Sequence, residues 1–375
     1  MRRHLGWAGL VAAAALVAAS AMPAGADADG GRYVQENLVS DQPGKAQLTD
    51  PDLVNAWGMS RSSGSPWWVS DNGTGVTTLY NTTNNTIAPL VVTIPSGDPN
   101  TNPTGTPTGQ IFNGTNDFQL APTLPALFIF ATEDGTISGW NPKVPGHPTS
   151  AVIKVNTHNT SVFKGMTVAS LKRPDGSLAN LLYVADFRKG RVQIYDANFH
   201  HISLGDDAFR DESIPAGYAP FNVQNLGGNI LVAFAQQDST KHDDVSGPGH
   251  GYVDVFTTTG HLMLRLQHGT WFNSPWGITQ APTDFGLFSH DLLIGQFGSG
   301  QILVFNAVTG AFRGPLMDAM NHAITINGLW DISFGSGSGA SGPATTLFFS
   351  AGIDDEQHGL FGKITPIENS LGGDL

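Results

Sequence analysis

The amino-acid sequence predicts an all-β fold: a six-bladed β-propeller with four-stranded blades, its ring closed by the N-terminal strand. Three observations carry this expectation. Six apolar runs each end in a turn headed by an acid or its amide: WWVSD, FIFATED, LLYVAD, LVAFAQQD, LLIGQFG and LFFSAGID. Their markers, Asp71, Glu133, Asp186, Asp238, Gln296 and Asp354, recur at steps of about 52 to 62 residues, room for one four-stranded blade per step. The composition agrees, with 46 Gly and 23 Pro but only 13% charged residues, as expected of many short strands joined by tight turns. Finally, the β-rich segment YVQENLVS at 33–40 precedes the first inner strand and lacks a partner in its own blade. Pairing it with the last blade near 360–364 removes the bare edge an open ring would leave.

The elements follow in order. In the first blade the strands are placed at Ala56–Ser60, 67–70, 77–80 and 90–94, with Asp71-Asn72-Gly73 as a hairpin turn that tolerates positive φ. The third blade repeats this at 165–169, 181–185 and Arg191–Tyr195, and the fifth at 276–279, 292–295 and 301–305. The low-complexity stretch 98–110 (DPNTNPTGTPTGQ) reads as an inter-blade loop, and 336–342 (SGSGASG) as a flexible loop in the sixth blade. Trp57, Trp276 and Trp330 recur at inner strands and are expected to pack between blades.

Residues 1–26 read as a cleaved export signal: Arg2 and Arg3, an apolar run over 5–21, then Ala24-Gly25-Ala26. The expected mature chain, 27–375, is one propeller domain, secreted and monomeric, without a membrane span. A net charge of −13 with only 18 Lys+Arg argues against a nucleic-acid partner. With no cysteine, stability rests on packing and strand pairing rather than disulfides.

In a four-stranded blade, the start of the inner strand and the turn between strands two and three lie on one face. This gathers Asn55, Asn222 and Asn327 with Asp71, Glu133, Asp186, Asp238 and Asp354 as candidate oxygen ligands for a cation of the Ca²⁺ type. The same residues could instead cap their own hairpins. Two turns on that face are enlarged: 238–251 (DSTKHDDVSGPGHG) and 354–359 (DDEQHG), in the fourth and sixth blades. They supply His242, Asp243 and His358 as candidate acid–base or catalytic groups. No nucleophile elbow, P-loop or dinucleotide fingerprint is present in the sequence.

Several strings together resemble an uncharacterised family of exported bacterial propellers related to NHL repeats. They are LVNAWG at 53–58, VSDNGTG at 69–75, FATEDGTI at 130–137, KHDDV at 241–245, SPWG at 274–277 and AGIDDE at 351–356. The resemblance implies a six-bladed fold and secretion. More distantly the chain is similar to gluconolactonase-like and strictosidine-synthase-like propellers, which hold a divalent cation in the tunnel. Where those hydrolases place a glutamate ligand, this chain has Asn55-Ala56. Two functions are therefore expected: an extracellular module that binds a ligand or protein at the tunnel face, or a metal-dependent lactonase or esterase-like hydrolase.

Overall fold

The computed structural model describes residues 31–367 apart from Pro174 and Ser338. Residues 1–26, expected to be an export signal, and the tail 368–375 lie outside the described residues.

Six principal antiparallel sheets surround an axis, with inner strands at Ala56–Ser60, Pro107–Phe112, Phe163–Lys172, Tyr218–Leu226, Pro275–Gln280 and Leu329–Phe334. The expected six-bladed propeller is the fold. Among the described residues, no helix is long and apolar enough to cross a membrane.

The apolar runs are continuous rather than alternating because each blade buries both faces. In the third blade Leu181, Tyr183 and Ala185 pack toward the fourth, while Leu182 and Val184 pack toward the second. In the fourth, Val232 and Phe234 turn back toward the third, and Leu231 and Ala233 toward the fifth. The period-two alternation of a strand thus feeds two cores at once. Six apolar clusters, one between each pair of neighbouring blades, make up most of the core.

Closure follows the sequence expectation. Tyr33–Ser40 pairs antiparallel with His358–Pro366, from Tyr33 opposite Pro366 to Ser40 opposite Leu360, with an irregularity between Asn37 and Val39. The Tyr33 hydroxyl donates to the Phe285 carbonyl at 2.8 Å, tying the closing strand to the fifth blade as well.

One boundary differs. The stretch expected as a loop over 98–110 ends early, because Pro107–Phe112 is the inner strand of the second blade. Its Pro-Thr-Gly-Gln reads as a turn, but the strand opens at the proline, where a missing N–H costs least. Gly109 is required by a close approach: a Cβ there would lie 2.7 Å from the Lys164 carbonyl of the next inner strand. Gly58 and Gly277 play the same part against Thr108 and Trp330, so the inner strands crowd the axis.

Candidate functional site

The crowded axis is filled by aromatic rings. Trp57 and Trp330 stack at 3.5 Å between centroids, and Trp276 meets both edge-on at 6.1 and 5.8 Å. Phe297 stacks on Trp330 at 4.0 Å, and Phe221 packs against Phe187 at 5.0 Å. The expectation that the tryptophans serve packing between blades is met. Together these residues form a seventh, axial cluster that plugs the tunnel.

Strand register explains which residues line this level. Ala56 pairs with Asp71, Phe163 with Asp186, Pro275 with Gln296 and Leu329 with Ala351, so the residues that follow, Trp57, Lys164, Trp276 and Trp330, hold one equivalent position. Lys164 therefore stands where three other blades carry tryptophan, and its side chain is only 1% exposed. Its ammonium lies 4.9 Å from the Trp57 ring, with Phe221 and Phe187 at 5.8 and 5.9 Å. It donates to Glu133 Oε1 at 2.5 Å and lies 3.6 Å from Asp243 Oδ1. Burial alone would lower the lysine pKa, but Glu133, then Asp243 and Asp244, outweigh it and hold the group above its ordinary value.

Around this ammonium five blades contribute polar groups. Asn72 Nδ2 donates to Glu133 Oε2 at 2.9 Å, and Asn55 Nδ2 to Glu356 Oε1 at 3.3 Å. Trp330 Nε1 donates to Asn55 Oδ1 at 3.2 Å. Asn55 itself has φ 50°, a left-handed conformation that asparagine tolerates. His242 Nδ1 lies 2.8 Å from Asp243 Oδ1; this hydrogen bond raises the imidazole and lowers the carboxyl. Burial, reinforced by Glu133, raises Glu356 to about 7. Burial also raises Asp244, although Ser274 and Ser246 bond to it.

The enlarged turns thus do converge on the mouth, but not through every residue expected. Glu133, His242 and Asp243 come together, each offering a donor atom within 4.8 Å of the others. Asn55 lies beside them. His358 turns away and pairs with Asp41 at 2.6 Å, while Glu356 points in. Asp354 accepts a bond from Gln42 and receives the Asn327 oxygen at its backbone N–H. Asp238 caps its own loop, accepting from Thr240 and the His242 N–H. Asp186 accepts from Gln193 and the Lys189 N–H within its own hairpin, and Asp71 is fully buried near Tyr80 and Asp50. Asn222 lies on the other side of the ring plug, donating to the Trp276 carbonyl at 2.7 Å.

A one-residue offset accounts for the division. Asp71 and Asp186 occupy the strand position whose side chains enter the space between blades. Glu133 is one residue further along its strand, equivalent to Asn72 and Phe187, and so faces the axis. Lys164 was absent from the expected site. Its one signal was the pair Lys164-Gly165, matching Trp57-Gly58 and Trp276-Gly277.

As a metal centre, Glu133 and Asp243 offer hard oxygens, but His242 adds an imidazole nitrogen better suited to Zn²⁺-like ions than to Ca²⁺. The Lys164 ammonium already supplies one positive charge to the two carboxylates.

No family model matches the chain. Uncharacterized protein R648 of Acanthamoeba polyphaga mimivirus is 29% identical over 87% of this chain and 78% of its own length. Uncharacterized protein L690 of the same virus is 28% identical over 87% and 84%. These relatives are viral, in contrast to the exported bacterial family that the motifs resemble. Among solved structures, virginiamycin B lyase from Staphylococcus aureus aligns with a TM-score of 0.50 and 11% identity, covering 90% of this chain and 99% of that one. At that identity the likeness is one of fold alone.

Proposed function

We propose that this propeller is a recognition module that binds a small polar molecule at the tunnel mouth, over the Lys164–Glu133 pair. The observation that supports this is the convergence of Asn55, Asn72, Glu133, Lys164, His242, Asp243 and Glu356, drawn from five blades, on one point above a closed aromatic floor. A structural ion pair would need two residues; here donors and acceptors of both charges face one opening. Asp243 and His242, the more exposed members, meet the ligand, and the buried lysine orients Glu133 beneath them. Mixed donors and acceptors suit a neutral polyhydroxylated or amide-bearing compound better than a strongly charged one. The N-terminal sequence supports export, so the ligand is taken to be extracellular; the observed N-terminus of the secreted protein tests that point.

A thermal-shift screen of polyols, sugars and amino acids tests the site. Hits abolished in the His242→Ala/Asp243→Ala variant, with its circular dichroism unchanged, support the reading. Hits that survive in that variant overturn it.

A metal-dependent hydrolase is the second reading, favoured by the Glu133, His242 and Asp243 donor group and by a Glu356 poised near neutrality for proton transfer. A bound divalent ion, Ca²⁺ or a transition metal, would polarise a carbonyl, with His242 or Glu356 carrying the proton. Turnover of lactone and ester panels that needs added Ca²⁺ or Zn²⁺ and vanishes in His242→Ala would favour hydrolysis over simple binding.

A further inference from the structure

Beyond the aromatic plug, away from the mouth, lies a cavity of about 40 Å³ lined by Met59, Gln110, Asn222, Trp276, Asp331 and Ser333, among others. All the lining residues come from inner strands, at or just past the ring-bearing level, so the plug separates them from Glu133, His242 and Asp243. The volume is that of one ion or one to two waters.

Among its polar groups is one acceptor without a partner. Gln110 is 5% exposed and its Nε2 is fixed by the Gly58 carbonyl at 2.8 Å, which leaves Oε1 buried at the cavity without a partner. Asp331 is held rigidly, its two oxygens accepting the Met59 and Ile332 N–H groups at 2.8 Å each. Asn222 is oriented by its bond to Trp276, with its Oδ1 accepting from the Val223 N–H. A carboxylate accepts more bonds than these two, and an amide oxygen left bare in a dry interior costs free energy.

We propose that this cavity binds a single hard cation, of the size shared by Na⁺ and Ca²⁺, through Asp331, Gln110 Oε1 and the Asn222 carbonyl. The three oxygen donors, of one formal charge together, are the ligand set such ions take, and the Met59 and Met166 side chains complete the wall. The ion satisfies the orphan amide oxygen and neutralises the one acid in the cavity. It also links the inner strands of the second, fourth and sixth blades, so its role is to brace the ring at its axis. The site is independent of ligand binding at the mouth.

The test uses the whole protein, dialysed against chelator and then given CaCl₂, NaCl or tetramethylammonium chloride at matched ionic strength. Melting is followed at pH 8. Expected is a rise in Tm of several degrees with CaCl₂ or NaCl but not with tetramethylammonium, lost in Asp331→Asn and Gln110→Leu. Which salt acts identifies the ion, and elemental analysis should find one calcium per chain if it is Ca²⁺. The shift should persist in His242→Ala/Asp243→Ala. Absence of any cation-specific shift in the native protein overturns the proposal, since water alone then fills the cavity. So does a shift lost with the mouth variant but kept in Asp331→Asn. Should Asp331→Asn fail to fold, Gln110→Leu carries the same comparison.

Discussion

Replacing Lys164 by Met should be the most costly single change at the mouth. The substitution keeps an apolar stem among Trp57, Phe187 and Phe221 but removes the ammonium that meets Glu133 at 2.5 Å. With side-chain exposures of 1% and 11%, neither partner can recover its hydration where it stands. Removing one member of such a buried pair typically costs about 3–5 kcal/mol, most of it the penalty of a carboxylate left without its counter-charge. Lost ring–cation attraction adds about 1 kcal/mol. Glu133→Gln in the same chain should restore most of the loss, because the amide still accepts from Asn72 and carries no charge. The assay is a double-mutant cycle by urea denaturation of the four proteins at pH 7, where a coupling of about 2 kcal/mol or more is expected. Lys164 is held above its ordinary value of 10.5 when folded, so this stabilisation is complete below that pH and fades as the pH climbs through the folded value. A single-variant cost under about 1 kcal/mol, or a coupling near zero, would show that solvent reaches Glu133 and would refute the reasoning.

Deleting residues 27–41 removes the closing strand and bares the edge of His358–Pro366; the melting temperature should fall sharply, and an unchanged melt would show the ring does not depend on it. Glu356→Gln should stabilise the protein at pH 8 by about 2 kcal/mol and not at pH 4, since an acid raised to about 7 costs the folded state stability as pH rises from its unfolded value through 7. Asp254 should behave likewise: burial, with Asp211 nearby, raises it to about 8, so denaturation midpoints of Asp254→Asn should exceed those of the parent most clearly above pH 8. Gly109→Ala forces a Cβ to within 2.7 Å of the Lys164 carbonyl and should cost about 1–3 kcal/mol, measured in the same denaturation assay.

Much of the fold could be read from residues, because blades bury both faces and so announce themselves as short continuous apolar runs. Even the closing strand was legible, from the absence of a partner for 33–40 in its own blade. The site was harder. Glu133, His242 and Asp243 could be named, yet Asp71 and Asp186 looked equivalent to Glu133 only while acids were aligned with acids. Strand register moves them by one residue, and one residue in a strand is the difference between the axis and the space between blades. Lys164 escaped notice because a lone cation in FKGM suggests an exposed strand position; only alignment on the glycine that follows puts it beside the tryptophans. Asp331 and Gln110 were hidden for a related reason, since they line one cavity only once the inner strands are brought together by closure of the ring.

That closure also orders events in time. Ser40 donates its hydroxyl bond to the carbonyl of Gly359, 319 residues away, so a strand made early in translation waits for one made near the end. Blades can form from local hairpins as they emerge, but the ring stays a curved, unsealed stack until synthesis passes 358–366. Contacts of such long range slow folding and expose the incomplete assembly to association with other chains. The same arrangement makes the molecule a natural candidate for circular permutation. Linking residues 32 and 367, which hydrogen-bond to each other, through a short linker and opening the chain between two other blades would convert this long-range contact into a local hairpin.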